Sequence, residues 1–407
     1  MTNIKKNTME ILISISVLTI LFYSSDPQIY PDSNRYINGN LYDPPMYSTI
    51  VTTMQLIFGS LKSVIILQTL FIGLSIIYFT RTLAAQFNLD LSIKTLVAIF
   101  LFLPTIQFYR HLLTEPICYA FSLLFVSFVF KLIINFNFQN LILSSLIVIF
   151  LLLTRNQFMF LYPVILLVYI GILILNNSKK KYWFIISFIS IFLIHNTLMN
   201  FSKHINQDSF ENETLLNNDT GAYFFTYIDA IYISSSKDVG LFKNHKLQNT
   251  LTKIFEEMDR RKASVEYYNG RGHFGLSLKD IRNYSKPLLS DLSNKDNNLK
   301  SIKRYISFKL IKANFGKYIK HIFKKSYDST WLFVFVPFLI LLAGLISFLK
   351  YKSHLALLTI FFSIFTLGNH SVIYLFGRVQ PRYFIYTDFI LLVFIFIIFI
   401  NLLSKKE

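Results

Sequence analysis

Charged residues in this chain collect at the borders of long apolar runs. After the first run the sequence reads Tyr30-Pro31-Asp32-Ser33-Asn34-Arg35-Tyr36, then Tyr42-Asp43-Pro44-Pro45-Met46-Tyr47. A carboxylate just outside a membrane span can act as a general base, because low-dielectric neighbours raise its pKa toward working pH. Pro31 and the Pro44-Pro45 pair stiffen the loop and restrict where Asp32 can lie. An ordinary surface pair of Asp32 and Arg35 in a solvated turn fits the same spacing.

A second constellation is Arg110-His111-Leu112-Leu113-Thr114-Glu115-Pro116. Thr114 is placed as an N-cap and Pro116 falls in the first turn of the following helix, where a missing N–H costs nothing. Glu115 would gain from the positive end of that helix, which accounts for it structurally. A charge at a membrane boundary beside Arg110 is nevertheless costly, and such charges are more often functional than those on soluble surfaces. Arg155 stands between two apolar runs in Leu153-Thr154-Arg155-Asn156-Gln157-Phe158. It can snorkel to the interface, or it can bind phosphate oxygens through its planar fork. The same choice applies to Arg378 and Arg382 in Gly377-Arg378-Val379-Gln380-Pro381-Arg382-Tyr383. Two acids and several arginines on one membrane face suit transfer of a group away from a phosphate leaving group. Unrelated interface charges would give the same list.

No Walker-type loop, His-Glu-x-x-His, cysteine-rich metal site or Gly-x-Ser-x-Gly elbow is present, which argues against a nucleotide-driven enzyme or pump. The single cysteine, Cys118, cannot form an internal disulfide. Glycosylation sequons such as those at Asn212, Asn218 and Asn283 are too short a pattern to carry weight.

The elements that must position these residues follow from composition. Forty lysines and arginines against 22 acids give a net charge of +18 over 407 residues, yet 53% of the chain is hydrophobic. The mean hydropathy is +0.48. That combination excludes an ordinary soluble domain or a nucleic-acid binder. Apolar blocks near 20 residues predict an all-α polytopic membrane protein. Ten spans are expected over 9–23, 63–82, 93–109, 114–134, 138–154, 157–175, 182–200, 330–349, 354–376 and 383–403. The first is read as an uncleaved span, since Asp26-Pro27 follows it in place of a small-residue cleavage site. Lysines and arginines in the short loops fall on one side if both termini are cytoplasmic. Loop 24–62, segment 201–329 and the turns carrying Arg110, Arg155 and Arg378 to Arg382 are then external. The chain accordingly divides into an N-terminal membrane module over 1–200, a periplasmic segment over 201–329 and C-terminal spans over 330–407.

From Leu299 to Trp331, Ile302, Tyr305, Ile306, Ile311, Phe315, Tyr318, Ile319 and Ile322 recur at helical spacing. Lys300, Lys303, Arg304, Lys309, Lys312, Lys317 and Lys320 fill the other face. This pattern predicts a basic amphipathic helix lying in the membrane interface, either as an anchor on anionic headgroups or as a wall for a lipid phosphate.

On these residues the sequence resembles the GT-C glycosyltransferases that use polyprenyl-phosphate sugars, in the branch of protein O-mannosyltransferases and lipid A aminoarabinose transferases. The resemblance covers most of 1–200 and returns at 299–400. It is carried by Pro31-Asp32-Ser33-Asn34-Arg35-Tyr36, Leu67 to Gly73, Leu113-Thr114-Glu115-Pro116, Leu153-Thr154-Arg155 and Pro381-Arg382-Tyr383, in the family's order. It implies that Asp32 is the catalytic acid of the first periplasmic loop, followed by the matching Arg35-Tyr36. Ser33 stands where those enzymes often carry Glu. It also implies that Arg155 faces the lipid phosphate. Residues 201–298 match nothing in that family.

The expectation is a GT-C-like bundle of about ten spans in the cytoplasmic membrane. It would act as an inverting glycosyltransferase on the periplasmic face, moving a sugar from a polyprenyl-phosphate donor to a glycan, lipid or protein acceptor. Asp32 would deprotonate the acceptor, while Arg155, Arg382 and Arg378 cradle the phosphate. Glu115 would orient the acceptor or a basic partner, and Arg35, Tyr36, Arg110, His111 and Tyr383 would support the site. No cofactor is implied and a divalent metal is not required. The alternatives are a lipid-linked glycan flippase or exporter, which should hold its ionisable residues at mid-membrane, and a non-catalytic assembly subunit.

Overall fold

The computed structural model describes residues 26–30, 32–38, 43–176, 181–205, 222–265, 281, 283–285, 287–289, 291–292, 299–376 and 381–404. The expected first span at 9–23, Pro31, Arg378 and the sequons at Asn212 and Asn218 lie outside them. Among the described residues the chain is helical, with one isolated bridge pairing Gln28 and His111. It divides into two units. One comprises 1–208, 335–370 and 380–407, and the other 209–334 and 371–379.

In the first unit, the short helix α1 (Ser33–Ile37) and α2 (Pro45–Phe58) precede α3 (Lys62–Phe87) and α4 (Leu91–Phe102). They are followed by α5 (Glu115–Ile134), α6 (Phe138–Thr154), α7 (Leu161–Asn176) and α8 (Lys181–Ile205). Local signals set the borders. Gly59 closes α2 and Asn88 closes α3, both left-handed, at φ 66° and 49°. Asp90 caps α4 by accepting from the Ile93 N–H, and Asn137 caps α6 by accepting from Gln139. The 93–109 span is shorter than expected. Pro104 lacks an N–H and crowds the preceding turn, so α4 stops at Phe102 and a 3-10 turn (Leu103–Gln107) follows.

Among the described residues, six helical stretches are long and apolar enough to cross a membrane: Lys62–Phe87, Glu115–Ile134, Asn156–Leu175, Tyr182–Ser202, His354–Leu375 and Ile385–Leu402. Leu91–Gln107, Phe138–Thr154 and Phe335–Tyr351 are apolar but shorter. On α8, Ile185, Ile186, Ile189, Phe192 and Leu193 are all about half exposed. So long an apolar face is the kind that lipid, rather than water, covers. This is a multi-pass helical membrane protein.

α5 is the central helix. It packs against α3 and α6, and α14 (Ile385–Ser404) packs on both α4 and α5. Tyr36, Tyr47, Val51, Val64, Ile65, Leu112, Leu113 and Ile117 form a local core that binds α1 and α2 to the starts of α3 and α5. Each large side chain fully buried this way contributes about 1.5–3 kcal/mol. The acid-bearing loop is thereby docked on the bundle end.

The second unit has its own core. α9 (Ala222–Tyr232) supplies Tyr227, Ile228 and Ile231, and the strongly amphipathic α10 (His245–Arg260) supplies Leu247, Leu251, Ile254 and Phe255. The basic helix expected over 299–331 differs from its prediction. It breaks at Asn314 into α11 (Leu299–Ala313) and α12 (Phe315–Tyr351), and α12 continues through Pro337 as one helix of 37 residues. Its apolar residues also split. Ile306 and Tyr318 are buried in this core with Ile302, Ile311 and Ile322 packed against it, while Tyr305, Phe315 and Ile319 are exposed. Protein therefore covers most of the stripe assigned to lipid. Lys303, expected on the solvated face, is buried, with its ammonium 5.9 Å from the Tyr227 ring centre. Asp229, fully buried, accepts from His321 at 3.1 Å and Lys325 at 3.2 Å. Lys325 also donates to the Tyr374 carbonyl, in α13 (His354–Phe376).

Candidate active site

The polar residues at one end of the first unit converge on Glu115. This residue opens α5, where an acid is stabilised by the helix end, and Pro116 fits the first turn. Thr114 does not cap the helix as the sequence predicts. Its hydroxyl accepts from Arg155 Nη1 at 3.1 Å and makes no capping bond. Arg155 is delivered by a break in the chain: α6 ends at Thr154, Arg155 is extended at φ −157°, and a 3-10 turn (Asn156–Phe160) follows.

Glu115 Oε1 lies 3.2 Å from Arg155 Nη1 and 3.3 Å from Arg382 Nε. Its side chain is 3% exposed, against 21% for Arg155 and 29% for Arg382. So buried a carboxylate needs both cations, because losing one partner of a buried pair costs about 3–5 kcal/mol. The Arg382 contact is an ion pair without hydrogen-bond alignment at Nε. Arg155 Nη1 also donates to Tyr386 Oη at 2.9 Å, and its guanidinium lies 4.3 Å from the Tyr383 ring centre. Among the described residues, the polar side-chain contacts of Arg155 all run through Nη1. Its other edge keeps donors for a ligand.

Arg382 joins the two predicted acids. Its Nη2 is 3.7 Å from Asp32 Oδ2, and it also donates to Tyr383 Oη at 3.2 Å. Asp32 is 48% exposed and lies 3.5 Å from Arg35 Nη1 as well. The apolar setting invoked for it from the sequence is therefore absent, and its nearest charges are two guanidiniums. Arg35 is held in turn by a two-pronged bond to Asp43, with Nε to Oδ2 at 2.9 Å. Asp32, Asp43 and Glu115 thus face Arg35, Arg155 and Arg382 in a charge-balanced cluster.

Supporting contacts fix the frame. The chain at Gln28 pairs with Arg110 and Leu112 through backbone bonds of 3.0 and 3.2 Å. Tyr30 Oη meets His111 Nε2 at 3.0 Å. Gln68 donates to the carbonyls of Tyr109 and His111 and accepts from Tyr47 Oη, whose ring meets Tyr36 edge-on. Arg110 is turned onto its neighbour, with Nε donating to Tyr109 Oη at 2.8 Å. Burial pushes the His111 imidazole below its ordinary 6.5; Arg382 adds to this and Glu115 opposes it.

The turn carrying Arg382 and Tyr383 is clamped from below. The Tyr383 carbonyl accepts from Gln157 at 3.1 Å and Asn369 at 3.0 Å, and Asn369 also donates to Thr387. The residues that follow Asn369 and Thr387 in the chain, His370 and Asp388, pair at 2.7 Å. Sequence reasoning missed Asp43, Tyr386, Gln157, Asn369, His370 and Asp388 as site residues. For Asp388 and His370 a signal existed, since each interrupts an otherwise apolar helix. Among the described residues no three His, Cys, Asp or Glu side chains gather as metal ligands do. No protein-family model, curated protein or solved structure matches this chain.

Proposed function

We propose that this chain is a GT-C-like, inverting glycosyltransferase with ten spans in the cytoplasmic membrane, its site facing outward. It takes a sugar from a polyprenyl-phosphate carrier. Support comes from one observation above all: Arg382 pairs with both Asp32 and Glu115 while Arg155 shares Glu115. A half-exposed carboxylate and two guanidiniums are thus within reach of one substrate. In this reading Asp32 takes the proton of the acceptor hydroxyl as its oxygen attacks the anomeric carbon. The carbon–oxygen bond to phosphate breaks, and the phosphate leaves with the electron pair into the arginines. Attack opposite the leaving group inverts the centre. Glu115 holds both arginines in place, and it yields part of their charge when phosphate arrives.

Lysine and arginine placement in the short loops supports the outward orientation. The flippase alternative draws no separate support from the buried His370–Asp388 pair, whose chain neighbours Asn369 and Thr387 belong to the network under Tyr383. Mass spectrometry of envelope glycans from cells with and without the gene tests the reading. It expects a glycosylated species that disappears in the deletion and in cells carrying only Asp32→Asn. Identical glycan profiles in all three would overturn it.

A further inference from the structure

An exposed apolar stripe on α11 and α12 has no part in glycosyl transfer and is not part of the second unit's core. Phe308, Phe315 and Phe323 are 67%, 61% and 68% exposed, and Tyr305 and Ile319 are exposed beside them. With Lys312 in the series, these residues recur every three or four positions, which is one face of a helix. Asn314 does not disturb that face. Its N–H donates to the Leu310 carbonyl and its own carbonyl accepts from the Tyr318 N–H, both at 2.9 Å, so the helical register carries across the break. Ile306, Leu310 and Tyr318 lie on the other side of the same helices and are buried in the core.

The stripe has basic borders. Lys312 and Lys320 are exposed, and the Lys309 ammonium lies 5.9 Å from the Tyr305 ring centre. From Leu299 to Ser326 the chain contains no aspartate or glutamate. Rings interleaved with lysines suit the headgroup region, where aromatic side chains lodge and cations meet anionic lipid. In water the same stripe would leave a contiguous apolar surface uncovered. α12 also leads to the bilayer. Twelve residues after Phe323, roughly 18 Å at helical rise, it reaches its apolar Phe335–Tyr351 stretch.

We infer that this stripe seats on the anionic lipid surface of the membrane that α12 enters. Phe308, Phe315, Ile319 and Phe323 lodge at the top of the acyl chains, and Lys309, Lys312 and Lys320 meet the lipid phosphates. The lipid-facing side is therefore not the one the sequence predicts: Ile302, Ile306, Ile311 and Ile322 serve the protein core, and the side turned away from it meets lipid.

Full-length protein in nanodiscs tests this without any sugar donor. Cys118 is buried, so a thiol-reactive fluorophore reports a cysteine introduced at exposed Phe308 or, separately, Phe323. Glu256→Cys, at an exposed acid of α10, is the reference position. The nanodiscs are phosphatidylcholine or its equimolar mixture with phosphatidylglycerol, with brominated acyl chains as the quencher. Both stripe labels should be quenched at least about twofold more than the reference in the anionic nanodiscs, and less in phosphatidylcholine alone. Each cation near an anionic surface is worth a factor of about five, so Lys312→Gln/Lys320→Gln should shift the seated-to-free ratio roughly thirtyfold toward free and lower the quenching. Quenching no greater than at the reference would overturn the inference, as would equal quenching in the two lipid compositions or quenching unchanged by loss of both lysines. Stripe labels hidden from brominated lipid and from aqueous iodide alike would mark a protein contact and overturn it too.

Discussion

Arg155 carries three contacts on one nitrogen, and that detail separates two roles. A lysine ammonium could replace Nη1 toward Thr114, Tyr386 and Glu115, but it offers nothing to the other edge of the guanidinium. If Arg155 only holds the site together, Arg155→Lys should behave as wild type. If it grips the carrier phosphate, the lysine variant should keep its thermal stability and bind polyprenyl phosphate roughly tenfold more weakly. Arg155→Ala should lose both stability and binding. Titration of each purified variant with polyprenyl phosphate, beside its melting curve, distinguishes the cases. His111 gives a second test at this scale. The native state favours its neutral form, so the unfolded chain binds more protons in the window just below pH 6.5. Its stabilising contribution is present above that pH and is lost as pH falls. Wild type should therefore lose more thermal stability than His111→Gln between about pH 7.5 and 5. Parallel losses would show that His111 does not titrate as its surroundings dictate.

At the scale of elements, the site depends on how closely helices approach. α13 passes the Asn156–Phe160 turn at Gly368, where a built Cβ would lie 2.7 Å from the Phe160 ring and 3.3 Å from its Cβ. A ring so close to its own backbone has little freedom to move aside. Gly368→Ala should cost about 1–3 kcal/mol through overpacking. Since Asn369 follows directly and holds the Tyr383 carbonyl, carrier binding should weaken together with the melting temperature. A normal melting temperature would refute the packing argument. Several helix borders were legible from the apolar blocks alone, as at Glu115, Phe138 and His354. The failures have physical causes. Pro104 shortened one block that hydropathy alone extends to residue 109. Near residue 330 the composition changes from basic to apolar, yet α12 runs on, because a helix breaks when its hydrogen bonds are interrupted and not when its hydropathy changes.

For the whole molecule, residue types at the bundle end were readable while their pairing was not. Asp32, Glu115, Arg155 and Arg382 stand out as charges beside apolar runs. That Tyr386 and Thr114 would share Arg155 depends on contacts across 231 and 41 residues. The amphipathic stripe of 299–322 looked the same whether lipid or protein covered it, and the α9 and α10 core decided that for most of its length. The central claim is that Asp32 removes the acceptor proton at an arginine-lined phosphate site. Its most direct test is the conversion of polyprenyl-phosphate sugar to polyprenyl phosphate by proteoliposomes, with membranes of the deletion strain as acceptor source. Asp32→Asn should slow it by at least about 100-fold while carrier binding persists. Turnover within about twofold of wild type would contradict the account.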